Sequence, residues 1–348
     1  ARTGSTIAYS AQIRRFLALV AARFRSWQAA QRTAERYVRP MIISASYRSD
    51  IPAFHADWFR ARLKAGFCEV ANPYSGKPYR VALRGDDVDG YVFWTRNAAP
   101  FSAALDDVAQ LMLPFVIQFT VTGYPRALDA HTPRADSAVA QIKGLAGQFG
   151  SRAVVWRYDP VVFSSLTPAA WHLRNFAVLA RELAGSVDEC VISCAQIYKK
   201  TERRLNSAAI CHDFNWKDPE WGEKQALLGE MAGIAAEFGI GITVCSQPEA
   251  LGDSEALGGS EALDGSDGPG PDRRYSARRL PARCIDSVRL SDIAGYDITA
   301  RQKGNRDGCL CAESRDIGAY DTCAHGCVYC YAVSDHDKAA ATLGRAGA

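Results

Sequence analysis

Three thiols near the C-terminus, Cys323, Cys327 and Cys330, stand in the string Tyr320-Asp321-Thr322-Cys323-Ala324-His325-Gly326-Cys327-Val328-Tyr329-Cys330-Tyr331-Ala332. Their C-x3-C-x2-C spacing is too tight for a disulfide framework and poorly suited to separate tasks. Three closely spaced thiolates with no fourth in the run suit a [4Fe-4S] cluster that leaves one iron without a protein ligand. Structural zinc sites close with four ligands, often as paired C-x2-C knuckles. His325 could serve as that fourth ligand, so zinc and a plain iron-sulfur cluster both stay open on counting alone.

The run resembles the radical S-adenosylmethionine (SAM) signature, C-x3-C-x-aromatic-C, with Tyr329 in the aromatic position. The wider string YDTCAHGCVYCYA is most similar to the spore-photoproduct-lyase-like branch, whose signature reads close to GC-x-HGC-x-YCYA. The resemblance implies that Cys323, Cys327 and Cys330 bind three irons of an open-iron [4Fe-4S] cluster. It implies that SAM chelates the fourth iron and that the Tyr329 ring packs near the adenine. It also implies an electron donor such as flavodoxin or ferredoxin.

Four further cysteines, Cys245, Cys284, Cys309 and Cys311, have the number needed for a second [4Fe-4S] cluster or a zinc cage. The competing reading is that Cys245 and Cys284 are buried small hydrophobes, a common fate of a free thiol. Cys68, Cys190, Cys194 and Cys211 show no spacing pattern and read as core or loop thiols. No Ser-His-Asp or HExxH arrangement is present. The Gly-rich strings of residues 251–277 follow no strand, so they are not phosphate loops.

Composition bounds these choices. A chain of 348 residues with 48% hydrophobic and 23% charged residues is an ordinary globular sequence able to bury a large core. Its 11 cysteines, clustered in metal-ligand patterns in a long chain, point to a reducing cytoplasm rather than to a secreted disulfide scaffold. The net charge of +3 and the lack of a basic stripe speak against nucleic acid, although the photoproduct-lyase likeness raises it. No apolar run reaches the roughly 18–20 residues that span a bilayer.

These residues need a scaffold, and the periodicity supplies one. Residues 1–40 are rich in arginine, carry a single acid (Glu35) and read as an extension outside the fold. From Met41 onward, β-branched and aromatic runs alternate with helical stretches. Strands are predicted at 42–47, 91–95, 116–121, 154–158, 190–194 and 242–245. Helices are predicted near 55–65, 101–111, 135–148, 168–184 and 221–238. Six β-α steps with strands apolar nearly throughout argue for a parallel sheet covered by helices. The fold expected is α/β, a TIM-like partial (β/α)6 barrel over residues 41–250. Residues 251–277, where SEALxGS occurs twice, read as a flexible low-complexity linker. Residues 278–335 form a cysteine-rich iron-sulfur cap with a short helix near 287–294. Residues 336–348 are a tail or short helix.

Ligands of parallel β/α folds bind at the carboxyl ends of the strands. The predicted strand exits carry Arg48, Asp50, Arg96, Gln118, Arg157 and Asp159, a set suited to binding a cofactor or an anionic small-molecule substrate. Guanidiniums hold carboxylates or phosphates bidentately. Asp50 and Asp159 would pair with these arginines or hold a ribose hydroxyl. The strings IISASYRSDIPAF, VFWTRNAAPF, QFTVTGYPRAL and VVWRYDPVVF resemble a bacterial family, domain-of-unknown-function family 1848, over roughly residues 41–332. One feature departs from the usual radical SAM order: the cysteine loop follows the last strand rather than the first. The expectation is that the first and last strands are neighbours, so that the loop still reaches the mouth.

Overall fold

The computed structural model describes residues 40–72, 75–251 and 278–346. The extension predicted at 1–40 and the linker predicted at 251–277 therefore fall almost wholly outside the described residues. Twelve strands follow one another along the chain. They are Met41–Ala45 (β1), Phe67–Ala71 (β2), Pro78–Ala82 (β3), Val88–Thr95 (β4), Phe115–Thr120 (β5), Val154–Val161 (β6), Phe163–Ser164 (β7), Glu189–Cys194 (β8), Trp216–Lys217 (β9), Gly241–Val244 (β10), Arg279–Pro281 (β11) and Ser314–Asp316 (β12).

Eight of them form one parallel sheet in the order β11-β10-β8-β6-β5-β4-β1-β12. From β1 to β11 each strand lies beside the next main-sheet strand in the chain, so every crossover steps in the same direction. Right-handed crossovers that all step one way put their helices on one face. That face carries Phe59 and Leu63 of helix Ala56–Ala65, Ile142 of helix Ala135–Phe149, Phe176 and Leu179 of helix Ala169–Leu183, and Leu228 and Met231 of helix Trp221–Glu237. Alternate strand residues meet them: Ile43, Tyr91, Phe93, Ile117, Trp156 and Ile192.

The intervening residues, Ile42, Val92, Val116, Val155 and Val191, point to the opposite face. There they pack on Ala282, Cys284, Ile285, Leu290, Ile298, Cys311 and Ala312. The segment after β11, which includes the helix Ser287–Ala294, thus plugs the face that the crossover helices leave open, which explains why the strands are apolar on both sides.

The α/β fold and its six β-α steps agree with expectation. The TIM-like partial (β/α)6 barrel needs correction in two respects. The sheet has eight strands, and its edge strands β11 and β12 are not paired with each other, so no closed barrel exists among the described residues. Both unforeseen strands are three residues long and polar or proline-bearing, Arg-Leu-Pro and Ser-Arg-Asp, and carry no β signal of their own. The hairpin β2–β3 and the charged helix Lys199–His212 were also unforeseen. Cys68, Cys190 and Cys194 are buried, as core thiols should be, whereas Cys211 is exposed on the helix Lys199–His212 rather than in a loop.

β12 pairs in parallel with β1, with Ile42 opposite Ser314 and Ser44 opposite Asp316. This junction is polar and buried. The Asp316 carboxylate accepts from Ser44 Oγ (2.8 Å), Ser46 Oγ (2.6 Å), the Tyr47 amide (3.0 Å), Arg48 Nε (2.9 Å) and the Gly318 amide (3.0 Å). Arg48 also donates to the Asp316 carbonyl at 2.8 Å. Gly318 is required by close approach, since a Cβ there would lie 2.1 Å from Ser46 Oγ.

Removing one partner of a buried ion pair leaves the other charge uncompensated, at a cost of about 3–5 kcal/mol. Asp316→Ala is therefore expected to lower the denaturant-unfolding free energy by that amount; a loss under about 1 kcal/mol contradicts the role given to this carboxylate.

A second stability prediction concerns pH. His172 is fully buried, bonded to the Tyr158 hydroxyl (2.9 Å) and the Val162 carbonyl (3.0 Å), and burial pushes it down to about 4. The unfolded state binds the proton more readily, so the stability from the neutral ring is complete above about pH 6.5 and is lost as pH falls toward 4. Between pH 7 and 5 this one group should cost about 2 kcal/mol, a slope that His172→Gln should remove in unfolding titrations.

Candidate functional site

A cavity of about 230 Å³ lies at the carboxyl ends of the strands. Its walls include Arg48 and Asp50 after β1, Arg96 after β4, Arg157 and Asp159 at the end of β6, and Gln247 after β10. The opposite wall consists of Cys323, His325, Cys327, Tyr329, Cys330 and Tyr331. All three signature thiols therefore face one space. Because β12 runs parallel to β1, the chain that leaves it emerges at the same end of the sheet as the other strand exits. The loop reaches the mouth, but through this short extra strand rather than through the last of the six predicted strands.

The loop is fastened along its length. Its Thr322 hydroxyl donates to Ser49 Oγ (2.7 Å), and the Thr322 carbonyl lies 3.0 Å from His55 Nε2. His325 Nε2 is bound to Asp50 at 2.7 Å, and the His325 ring sits 4.6 Å from that of Phe54. Asp50 also caps the helix Ile51–Phe54 through the Ala53 amide (2.9 Å) and accepts from the Arg96 amide (2.7 Å). The loop backbone joins the segment after β5, with the His131 amide donating to the His325 carbonyl (2.9 Å) and the Val328 amide to the Leu128 carbonyl (3.0 Å). Gly326 has φ +71°, and a Cβ there would lie 3.0 Å from Ala130 Cβ, so the HGC element needs glycine for both reasons. Arg204, from the unforeseen helix Lys199–His212, donates to the Val328, Cys330 and Val333 carbonyls.

Tyr329 is buried between these contacts. Its hydroxyl donates to Asp129 (2.6 Å) and accepts from Arg96 (2.6 Å), while Asp129 also accepts from Arg96 Nη1 (2.8 Å) and Thr122 Oγ1 (3.0 Å). The predicted arginines are thus each committed to an internal carboxylate: Arg48 to Asp316, Arg96 to Asp129 and Arg157 to Asp159. Asp159 pairs with its neighbouring arginine as expected, whereas Asp50 serves the cysteine loop instead. Gln118 is displaced from the mouth. It is buried within β5, donating to the Cys284 carbonyl (2.8 Å) and accepting from Arg157 Nη1 (3.2 Å).

Sequence reasoning did not single out Arg306. It lines the cavity, donating to Gln196 Oε1 (3.3 Å) and Cys245 Sγ (3.4 Å), and among the described residues no carboxylate stands within ion-pair distance of it.

The second cysteine set also comes together. Cys284 Sγ lies 3.6 Å from Cys245 Sγ and receives Arg157 Nη1 at 3.1 Å. Cys311 interacts with Cys284 on one side and Cys309 on the other, and its sulfur accepts from the Ile285 amide at 3.4 Å. The hydrogen bond from Cys311 holds the Cys309 thiol down to about 6.

Among the described residues, no group of three or more His, Cys, Asp or Glu side chains surrounds a point that one metal ion would occupy. His325 is not free to close a zinc cage through Nε2, which Asp50 holds, and its Nδ1 is buried without a partner. A cluster asks for a different arrangement, because each thiolate binds its own iron and the sulfurs stand apart around a shared space. Cys323, Cys327 and Cys330 all border the one cavity. Burial pushes Cys323 up to about 12 and Cys327 well above the usual thiol range, so their thiolates need a cation beside them. Arg204→Ala leaves three loop carbonyls without their cationic donor. It should raise iodoacetamide labelling of Cys323 and Cys330 by at least about threefold while leaving the fold intact by circular dichroism; unchanged labelling contradicts the clamp.

Among the described residues no helix is long and apolar enough to cross a membrane. Comparison with curated proteins found no match, and neither did comparison with solved structures. The model of one family, the domain of unknown function DUF1848, matches residues 42–332. That span contains every strand of the sheet apart from the first residue of β1, as well as both cysteine sets, and the chain belongs to the DUF1848 family.

Proposed function

We propose that this chain is a radical SAM enzyme in which Cys323, Cys327 and Cys330 hold a [4Fe-4S] cluster with one open iron. The observation that carries this reading is that all three thiols, with Tyr329, line one cavity at the strand ends. When bound, the cluster and SAM supply one-electron cleavage of SAM to methionine and a 5′-deoxyadenosyl radical, which can abstract hydrogen from a substrate.

The chain's own residues provide placement and shelter. Asp50 orients His325 and, through the Arg96 amide, ties the exits of β1 and β4 to the cysteine loop. Arg96 and Asp129 fix the Tyr329 ring from its hydroxyl end. Trp94 and Tyr331 contribute apolar surface to the cavity, and Arg157 lies 5.0 Å over the Trp94 ring. Such a wall keeps water and side reactions from a reactive carbon centre.

Arg306 lines the cavity and, among the described residues, forms no salt bridge with a carboxylate, which favours an anionic small molecule as substrate. At about 230 Å³ the cavity is smaller than the roughly 300–1,000 Å³ usual for small-molecule sites. It borders Tyr198 and Tyr331, which are 46% and 43% exposed. A flavodoxin or ferredoxin would supply the electron, and a cluster of this kind belongs in the reducing cytoplasm.

The test is anaerobic reconstitution with iron and sulfide, followed by incubation with SAM and dithionite and quantification of 5′-deoxyadenosine. The expected result is formation that depends on the chain and falls at least about 100-fold in Cys327→Ala, the removal of one cluster ligand. A fully loaded chain that makes no 5′-deoxyadenosine above the protein-free background overturns the proposal.

A further inference from the structure

Cys245, Cys284, Cys309 and Cys311 come from three separate segments: the exit of β10, the turn after β11, and the loop before β12. The fold nevertheless sets their sulfurs in one continuous row. Cys284 touches Cys245 at 3.6 Å, and Cys311 bridges Cys284 to Cys309. As packing alone this row is costly to explain. Small apolar side chains would fill the plug of the sheet equally well, whereas these sulfurs attract polar donors. Arg157 Nη1 points at Cys284 Sγ (3.1 Å), Arg306 Nη2 at Cys245 Sγ (3.4 Å) and the Ile285 amide at Cys311 Sγ (3.4 Å). Two guanidiniums and an amide directed at sulfur give the cluster polar neighbours that small apolar side chains would leave unpaired.

We propose that these four cysteines form a second metal centre, closed by protein thiolates alone and taking a thiophilic metal, either zinc or a [4Fe-4S] cluster. Four is the number of thiolates that completes either. The 3.6 Å between Cys245 and Cys284 is close to the roughly 3.8 Å that separates two thiolates at 2.3 Å from one tetrahedral ion. The four sulfurs do not surround one point as they stand, so binding draws them inward. Cys309, the half-exposed member, is the end on the solvent side. Each thiol passes its proton to solvent as its metal–sulfur bond forms.

The site lies directly behind the cavity wall, because Arg157 and Arg306 touch its sulfurs and line the cavity as well. It stands on residues distinct from the signature thiols and does not depend on how the cavity is read.

The experiment uses the full chain carrying Cys323→Ala, Cys327→Ala and Cys330→Ala, purified without oxygen and offered iron with sulfide, or zinc. Iron, sulfide and zinc are then counted. The expected result is one retained centre, about four irons with four sulfides or about one zinc, falling at least tenfold when Cys284→Ala and Cys311→Ala are added. Iron with sulfide identifies a cluster, and zinc alone identifies a single-ion site; both support the proposal.

A folded triple variant that retains less than about a tenth of an equivalent of either metal overturns it. Should the variant fail to fold, the unaltered chain supplies the answer through mass-spectrometric mapping of iodoacetamide labelling. Metal should protect Cys309 and Cys311 by about tenfold over the chelator-stripped chain, and equal labelling overturns the proposal.

Discussion

The structure depends on a buried carboxylate. Asp316 gathers two serine hydroxyls, two amides and the Arg48 guanidinium, and so fastens a three-residue strand with little intrinsic β preference to the edge of a parallel sheet. Without that network β12 has only three register pairs to hold it. With it, the chain beyond Asp316 is delivered to the carboxyl end of the sheet, where the strand exits already meet. The placement of the signature thiols follows from this junction, since they lie only a short reach of chain beyond Asp316.

The same economy governs the rest of the C-terminal segment. In a singly wound sheet the helices crowd one face, and the other would expose Ile42, Val92, Val116, Val155 and Val191. The chain from Ala282 to Ala312 covers that face, so the cysteines of the plug are buried by the requirement that stabilises the sheet. Covering the face and assembling four thiols are one event. The cavity then sits between two sulfur-bearing layers, the fastened loop on one side and the plug on the other, with Arg157 and Arg306 spanning the space toward the plug.

Much of this was legible in the sequence, for physical reasons. The six long strands announce themselves because they are buried on both faces and so read as apolar runs, and the helices between them show their period. The signature thiols stand out because three metal-seeking side chains in one short run have few structural uses. β11 and β12 stayed hidden because edge strands held by side-chain networks need no β propensity. The arginines were located correctly, as was the Asp159 partner of Arg157, but the partners of Arg96 and Arg48 were not. Asp129 and Asp316 lie in loops or short strands whose proximity to Arg96 and Arg48 depends on tertiary contacts that no spacing rule encodes. Gln118 shows the same limit, since a polar residue near a strand end can point into the plug as readily as into the mouth. Arg204 clamps the loop from a helix whose sequence, KKTERRLNSAAICH, is so rich in charged and polar residues that few apolar ones mark it.

The central claim is that Cys323, Cys327 and Cys330 hold an iron cube whose vacant corner faces the cavity. Electron paramagnetic resonance of the dithionite-reduced chain, recorded before and after adding SAM, tests it most directly. A reduced [4Fe-4S] signal whose g values shift on SAM addition, and which Cys330→Ala abolishes, is the predicted result. An iron-loaded chain whose spectrum is indifferent to SAM would contradict the account.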